Sequence, residues 1–496
     1  MHLWIVTIGS SDVQLDSDRT CKEKKRTPSE YSEKVWRYWY TDDIKADCND
    51  IDFSPKTLFP YKDETYRISP RILGTVYQAK DQVGQDEIFS YLTFPLLDNF
   101  VKELETSPKP EAIAIILTDQ STIFQADQQR EKIKSPYWLD TCELKPILES
   151  YFEDRFPEIP REWIALAPTS ADQSLDNWDT VLELVRQQFY SLIIRGEDIK
   201  VAPDENVYVS HQAGTPAISS AVQFMSLAMF GDRVKFLVSN EYNPQLTGLV
   251  NSSNYLRGIE IHQAKKLLED RYDYPGVKEI LQRQINEAKD SDREIKYVEY
   301  LLNAAIQWNF AEFEEFKTKL LMSAYPRITS TLKETIEKRT EEQNWWWTAY
   351  EAAWLGVVRL KQGNTVEAMF HSFRALEGLA ISYADRQGLA RHGKKVFRYL
   401  KSQKQKQWKE HSFISDLVNL DDDTEDLLVR RNGLFHNLLG FTKEDLFIAW
   451  NTDENNWQKV ITECLNLISD QDFHVLKEVS LMAKVHKELE SAIAHL

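Results

Sequence analysis

The chain has 496 residues, 42% of them apolar, and a formal net charge of −18 at pH 7. That length predicts two or three domains with sizeable cores, and the charge excludes a protein that coats nucleic acid non-specifically while leaving room for a local basic site. No stretch approaches the roughly 18–20 apolar residues that span a bilayer, and the four cysteines (Cys21, Cys48, Cys142, Cys464) lack metal or disulfide spacing, so a reducing, cytoplasmic setting is expected.

The opening apolar run, 3–8, is too short for a signal-peptide core and suits a buried strand. It leads into Gly9-Ser10-Ser11-Asp12, where Gly9 permits close backbone approach and Ser10 and Ser11 offer hydroxyls and amides to a phosphate or ribose. Residues 16–64, polar and poor in periodicity, read as a loop-rich insertion without an assigned place. Apolar runs over 112–117, 163–167, 207–210 and 234–238 then alternate with amphipathic stretches over 178–193 and 217–230. Strands alternating with helices imply a mostly parallel sheet covered on both faces, with ligands bound beyond the carboxyl ends of its strands. The strand 112–117 exits through Thr118-Asp119-Gln120-Ser121, one candidate rim that includes Gln120. The strand 207–210 exits through His211-Gln212-Ala213-Gly214 into Thr215-Pro216. Thr215 suits a helix N-cap and Pro216 the first helical position, so the amides there favour an anion. His211 could contact a base, act on a bound phosphodiester, or be a loop histidine with its hydrogen bonds met. There is no G-x-G-x-x-G and no G-x-x-x-x-G-K-[ST], so neither dinucleotide redox chemistry nor P-loop phosphate handling is supported.

Beyond about residue 255 the strand signal disappears. Helices are expected over 259–268 and 274–285, and most clearly over 366–383, where Val366, Met369, Phe370, Phe373, Leu376, Leu379, Ala380 and Tyr383 recur at helical spacing. The fold class expected is therefore α/β plus all-α: a Rossmann-like parallel-sheet domain over 1–250, a helical connector over 251–290 and a helical domain over 291–496. Trp345, Trp346 and Trp347, followed by Tyr350 and Trp354, read as core or dimer interface rather than as a platform for bases. Residues 391–411 carry Arg391, Lys394, Lys395, Arg398, Lys401, Lys404, Lys406 and Lys409 interleaved with Phe397, Tyr399 and Trp408. They form either a solvated helix face or an RNA-backbone track with stacking positions. The acidic run 421–426 fits the first turn of a helix. No histidine or cysteine spacing matches a metal site, so no metal is expected.

Near the end stands Arg431-Asn432-Gly433-Leu434-Phe435-His436. In an intact α-helix five residues rotate by about 500°, which would point Arg431 and His436 roughly 140° apart. Gly433 lets the backbone turn, so the two can converge on one phosphate. RNA supplies its own nucleophile, the 2′-hydroxyl. An enzyme then needs only a proton acceptor and donor such as His436, and a planar cation such as Arg431 to hold the developing phosphorane charge. Asn432 would orient a phosphate oxygen or the imidazole. The products would be a 2′,3′-cyclic phosphate and a 5′-hydroxyl.

In their order, the strand into Gly9-Ser10-Ser11, the helix entry Gly214-Thr215-Pro216, the connector around Leu267, Glu269, Tyr272 and Tyr274, the helices at 347–359 and 367–377, and the terminal Arg431-Asn432-x-x-x-His436 resemble the CARF–HEPN ribonucleases that accompany type III CRISPR systems. The likeness spans nearly the whole chain, while each motif is short. It implies a CARF sensor domain that binds a cyclic oligoadenylate, with tetra-adenylate slightly favoured over hexa-adenylate, and a HEPN domain that cuts single-stranded RNA. It also implies a homodimer, with the ring on the two-fold axis and a composite catalytic site. Carried over by position, Arg431, Asn432 and His436 are the catalytic candidates, and Gly9, Ser10, Ser11, Gly214 and Thr215 the ligand contacts, with Gln120 and His211 added from the reading of the loops. Some relatives degrade their own activator; no motif here assigns that. The alternative is a non-catalytic cyclic-nucleotide sensor whose helical domain binds a partner.

Overall fold

In the computed structural model the first apolar run forms strand β1 (Leu3–Thr7), and it sits in the middle of a six-stranded sheet. The structure describes residues 1–16, 36–41, 44–48, 51–57, 65–124, 135–170, 173–194, 197–198, 200–239, 246–321, 330–388 and 441–496. Arg431, Asn432 and His436, and the basic stretch 391–411, lie outside the described residues. The chain divides into two units, Met1–Leu256 and Arg257–Leu496.

The remaining strands of the first unit's main sheet are β2 (Ala112–Thr118), β3 (Arg161–Leu166), β4 (Val207–Ser210), β5 (Val234–Val238) and β6 (Gly248–Asn251). They lie in the order β6-β5-β4-β1-β2-β3, with every neighbouring pair parallel except β5–β6. The five apolar runs legible in the sequence are the five parallel strands. The antiparallel β6, four residues long and half-exposed, was not among them.

Buried parallel strands are apolar on both faces because helices cover both. Along β1, Trp4 and Val6 join one core with Ile113, Ile115 and the helices Pro70–Gln78, Pro95–Leu104 and Lys145–Arg155. Leu3 and Ile5 join the other with Ala112, Val207 and the helices Trp178–Tyr190 and Pro216–Phe230. The chain leaves β1 for β2 and β3 on one side, then crosses back to β4 and β5 on the other. The strand order therefore reverses between β1 and β4, and their carboxyl ends diverge into a crevice. Trp4 Nε1–H donates to Ser210 Oγ at 2.9 Å and the Thr7 hydroxyl to the Ser210 carbonyl at 3.1 Å, so side chains as well as the ladder tie these two strand ends together.

Between β1 and β2 lies a second, antiparallel sheet in the order Lys56–Thr57, Thr65–Arg67, Gln14–Asp16, Leu92–Thr93. The insertion that reads as polar contributes Trp36, Trp39, Tyr40, Ile44 and Phe53 to the first core. Trp36 stacks on Tyr40 at 5.4 Å, and Phe53 meets Trp138 edge-on at 4.9 Å. Each such ring, once buried, contributes on the order of 2–3 kcal/mol, which is enough to hold a hydrophilic segment against the sheet.

The second unit is helical throughout its described residues. Helices Arg293–Asn309, Trp347–Lys361, Thr365–Arg386, Trp457–Ser469 and Leu481–Ala494 share one core, into which Trp346 and Trp347 are buried. Inside it Glu351, 1% exposed, accepts from Trp308 Nε1–H at 2.9 Å and the Ser480 hydroxyl at 2.8 Å, and from the Leu481 amide. Among the described residues no helix is long and apolar enough to cross a membrane.

Candidate functional site

The crevice beyond β1 and β4 is a cavity of about 320 Å³, at the lower end of the roughly 300–1,000 Å³ range of small-molecule sites. Gly9, Ser10 and Ser11 from the β1 loop, Gln120 from the β2 loop, and Gly214 and Thr215 from the β4 loop all line it. Ile8, Leu139, Leu175 and Ile218 supply apolar wall. Three loops far apart in sequence thus meet where strand topology puts a ligand.

Two glycines make the meeting possible. A Cβ on Gly9 would lie 2.9 Å from the Gly214 nitrogen and 3.3 Å from Ala213 Cβ, so the β1 and β4 loops touch only because Gly9 has no side chain. Gly214 has φ +96°, in the left-handed region that L side chains rarely adopt. Next to it Thr215 caps the helix Pro216–Phe230: its Oγ1 accepts from the Ile218 amide at 3.2 Å and donates to the Leu175 carbonyl at 2.8 Å. That hydroxyl is committed to the N-cap, so what the residue turns to the cavity is chiefly backbone. The amides of Ser10, Ser11 and Gly214 have no acceptor among the described residues.

Asp12 clasps the β1 loop. It is 2% exposed, and its Oδ2 accepts the Gly9 amide at 2.7 Å. Burial pushes its carboxyl up to about 7, with the Gly9 bond pulling partway back. An acid that holds its proton more tightly when folded favours the fold at low pH, and that advantage is lost as pH rises from about 4 through about 7. The loss amounts to about 4 kcal/mol at most. Asp12→Asn should therefore gain stability relative to the parent across that window, read as the difference in unfolding free energy at pH 4, 5.5 and 7.5. A difference that stayed flat with pH would show that Asp12 is not the titrating group.

Gln120 is held from below. Its amide and side-chain Nε2–H donate to Asp140 at 2.8 and 3.0 Å, and its Oε1 accepts from the Leu175 amide at 3.4 Å. Asp140, 1% exposed, also takes Arg71 Nη2–H at 3.0 Å, and Arg71 reaches Asp119 at 3.0 Å and stacks over Tyr137 at 4.0 Å. Burial pushes the Asp140 carboxyl above its usual range despite the bonds from Gln120 and Arg71. Gln120 is thus a rigid wall of the cavity with its polar atoms engaged. Ser10 Oγ accepts from Arg67 Nη2–H, and the Ser11 carbonyl from Gln14 Nε2–H at 2.7 Å.

His211 is the candidate that the fold does not bring to the cavity. Its Nδ1 pairs with Ser219 Oγ at 2.9 Å, its ring meets Phe236 edge-on at 5.2 Å, and burial lowers its pKa. Its neighbour Gln212 lines the cavity instead, clamped to Ser239 by a bond from Nε2–H at 3.1 Å and one to Oε1 at 2.6 Å. Nothing in Gly9-Ser10-Ser11-Asp12 marks Asp12 for burial. Arg71 and Asp140, 69 residues apart, gave no sequence signal at all.

No family model and no curated protein matches the chain. Among solved structures it is similar to Enterococcus italicus Csm6 bound to cyclic hexa-2'-fluoro-hexa-dAMP, at 12% sequence identity and a TM-score of 0.46, over 79% of this chain and 95% of that one.

Proposed function

We propose that the chain is a CARF–HEPN ribonuclease of type III CRISPR defence: a metal-independent endoribonuclease for single-stranded RNA, switched on when its sheet domain binds a cyclic oligoadenylate. The observation that carries this reading is the cavity at the strand-order reversal, where loops ending in Gly9-Ser10-Ser11 and Gly214-Thr215 present unpaired amides, in a chain that goes on to Arg431-Asn432-x-x-x-His436. Unpaired amides at a helix entry suit phosphate oxygens. His436 would take the 2′-hydroxyl proton, the alkoxide would attack phosphorus, Arg431 would hold the phosphorane charge, and the 5′-oxygen would leave with a proton.

A cavity of this size is smaller than a ring of four or six nucleotides would fill. A ring then needs the same patch from a second protomer, which a two-fold dimer supplies. Helix Trp178–Tyr190 offers a face for such pairing: Trp178, Leu182 and Tyr190 lie exposed at spacings of four and eight, the row that packs into a like row on another helix. Sedimentation at micromolar protein reads the dimer, and a monomer with and without ring would remove it.

The test is cleavage of single-stranded RNA with no ligand, cyclic tetra-adenylate or cyclic hexa-adenylate, with and without EDTA. Cutting that requires one ring, survives EDTA and leaves cyclic-phosphate ends is expected. Arg431→Ala or His436→Ala should lower the rate by about 10²–10⁴ while ring binding survives. Cleavage that persisted in both variants would move the chemistry elsewhere. Tight ring binding with no cleavage would favour the non-catalytic sensor, and equal cleavage without ligand a ribonuclease with no small-molecule control.

A further inference from the structure

The cavity is built for an anion, yet its lining holds no cation among the described residues. Asp140 is the charged side chain that lines it, and Arg71 already neutralises that carboxylate. A ligand with one phosphate per nucleotide needs a positive group nearer than bulk counterions.

The insertion between β1 and β2 brings one. In its antiparallel sheet the register sets Lys56 directly opposite Arg67, so two cations share one face of adjacent strands. Like charges in directly opposed positions are unfavourable unless an anion joins them. Asp52 lies near enough to Lys56 that the lysine, after Ser54 and Lys45, helps hold its carboxyl below the ordinary range. Arg67 has its own partner: its Nη2–H donates to Ser10 Oγ, and Ser10 lines the cavity. A guanidinium is always charged and has five donors in a planar fork, so the bond to Ser10 leaves others for phosphate oxygens.

We propose that Arg67, backed by Lys56, is the phosphate-binding cation of this cavity, delivered to the β1 loop by the inserted sheet and oriented by Ser10. This rests on the cyclic-oligoadenylate reading. It also explains what the insertion contributes, because the second sheet carries charge to a site that the main sheet shapes but does not charge.

The experiment measures binding of cyclic tetra-adenylate and cyclic hexa-adenylate to the full chain by calorimetry at 50, 100 and 200 mM salt. Arg67→Gln should weaken binding of the ring that the parent prefers by about tenfold or more and flatten the log–log salt dependence by about one. Arg67→Lys should keep the slope while losing part of the affinity. Ser10→Ala should weaken binding modestly with the slope unchanged, because the charge stays and only its tether goes. Lys56→Gln, at an exposed position, should cost about two- to threefold and serves if Arg67→Gln fails to fold. Parent-like affinity and slope in Arg67→Gln, or in Lys56→Gln where Arg67→Gln does not fold, would overturn the proposal and leave the ligand reading intact. A parent that binds neither ring would overturn both.

Discussion

On the proposed cyclic-oligoadenylate reading, Gly9→Ala should weaken ring binding by at least about tenfold, and Gly9→Val should abolish it, with the sheet domain still folded. The cause is a contact rather than a lost hydrogen bond. The new Cβ would stand 2.9 Å from the Gly214 nitrogen, closer than real Cβ atoms approach, and 3.3 Å from Ala213 Cβ. Its obstacle is backbone, which cannot swing aside as a side-chain tip would, so the β1 and β4 loops must part. Those loops carry the amides of Ser10, Ser11 and Gly214 that would hold phosphate, and a displacement of under an ångström is enough to spoil hydrogen-bond geometry. Gly214→Ala attacks the same junction from the other side. At φ +96° an alanine bears about 1–2 kcal/mol of backbone strain, which the loop would relieve by turning its amide away. Calorimetric titration with the ring that the parent binds best reads the loss, and a melting temperature within a few degrees of the parent shows that the fold persists. Parent-like affinity in both glycine variants would mean that the junction of the two loops is not the binding site.

How much of this site the sequence discloses depends on the range of the interaction. The five parallel strands were legible because burial on both faces leaves continuous apolar runs, and the loops at their carboxyl ends were candidates because topology alone places ligands there. Gly9 and Gly214 were visible as glycines, but that one exists to admit the other is a fact of packing across more than two hundred residues. Thr215 was legible in two roles, and its bonds to Ile218 and Leu175 commit the hydroxyl to the cap. His211 sits in the β4 loop but pairs with Ser219, and neither is among the lining residues. The buried pair Arg71–Asp140 was invisible, since a single long-range ion pair imposes no periodicity on either segment. The insertion misled through its composition: charged residues dominate it, and the few apolar ones that matter to packing, Trp36, Trp39, Tyr40, Ile44 and Phe53, occupy too short a stretch to stand out among them. Charge composition likewise says nothing of register, which is what aligns Lys56 with Arg67.

Glu351→Ala should destabilise the helical unit by about 3–5 kcal/mol through the donors it orphans, a large share of the roughly 5–15 kcal/mol that holds a domain together. Among the described residues, the four groups bonded to this carboxylate are all donors. Trp308 Nε1–H and the Ser480 hydroxyl point at Oε2, the Leu481 amide at Oε1, and the Met482 amide lies 3.4 Å from Oε2. Only an acceptor-only group satisfies such a shell, and aspartate is too short to reach it from the same backbone. The site also completes a helix start. Ser480 Oγ caps the Ala483 amide at 3.2 Å, while Glu351 takes the two amides before it, so a negative charge from another helix stands at the positive end of Leu481–Ala494. Alanine would leave an indole N–H, a hydroxyl and two backbone amides buried without these partners, each costing about 1–3 kcal/mol unless water enters. Glu351→Gln separates charge from shape. It keeps one acceptor oxygen but turns an NH₂ group toward donors, so about half of the alanine effect is expected. Urea unfolding followed by tryptophan fluorescence measures both variants, and Trp308, bonded directly to Glu351, should report the change. If glutamine were as stable as the parent, the carboxylate charge would be irrelevant to the helix start. If alanine cost under about 1 kcal/mol, the polar centre of this core would be filled by water and would not be the tie between helices that the bond pattern describes.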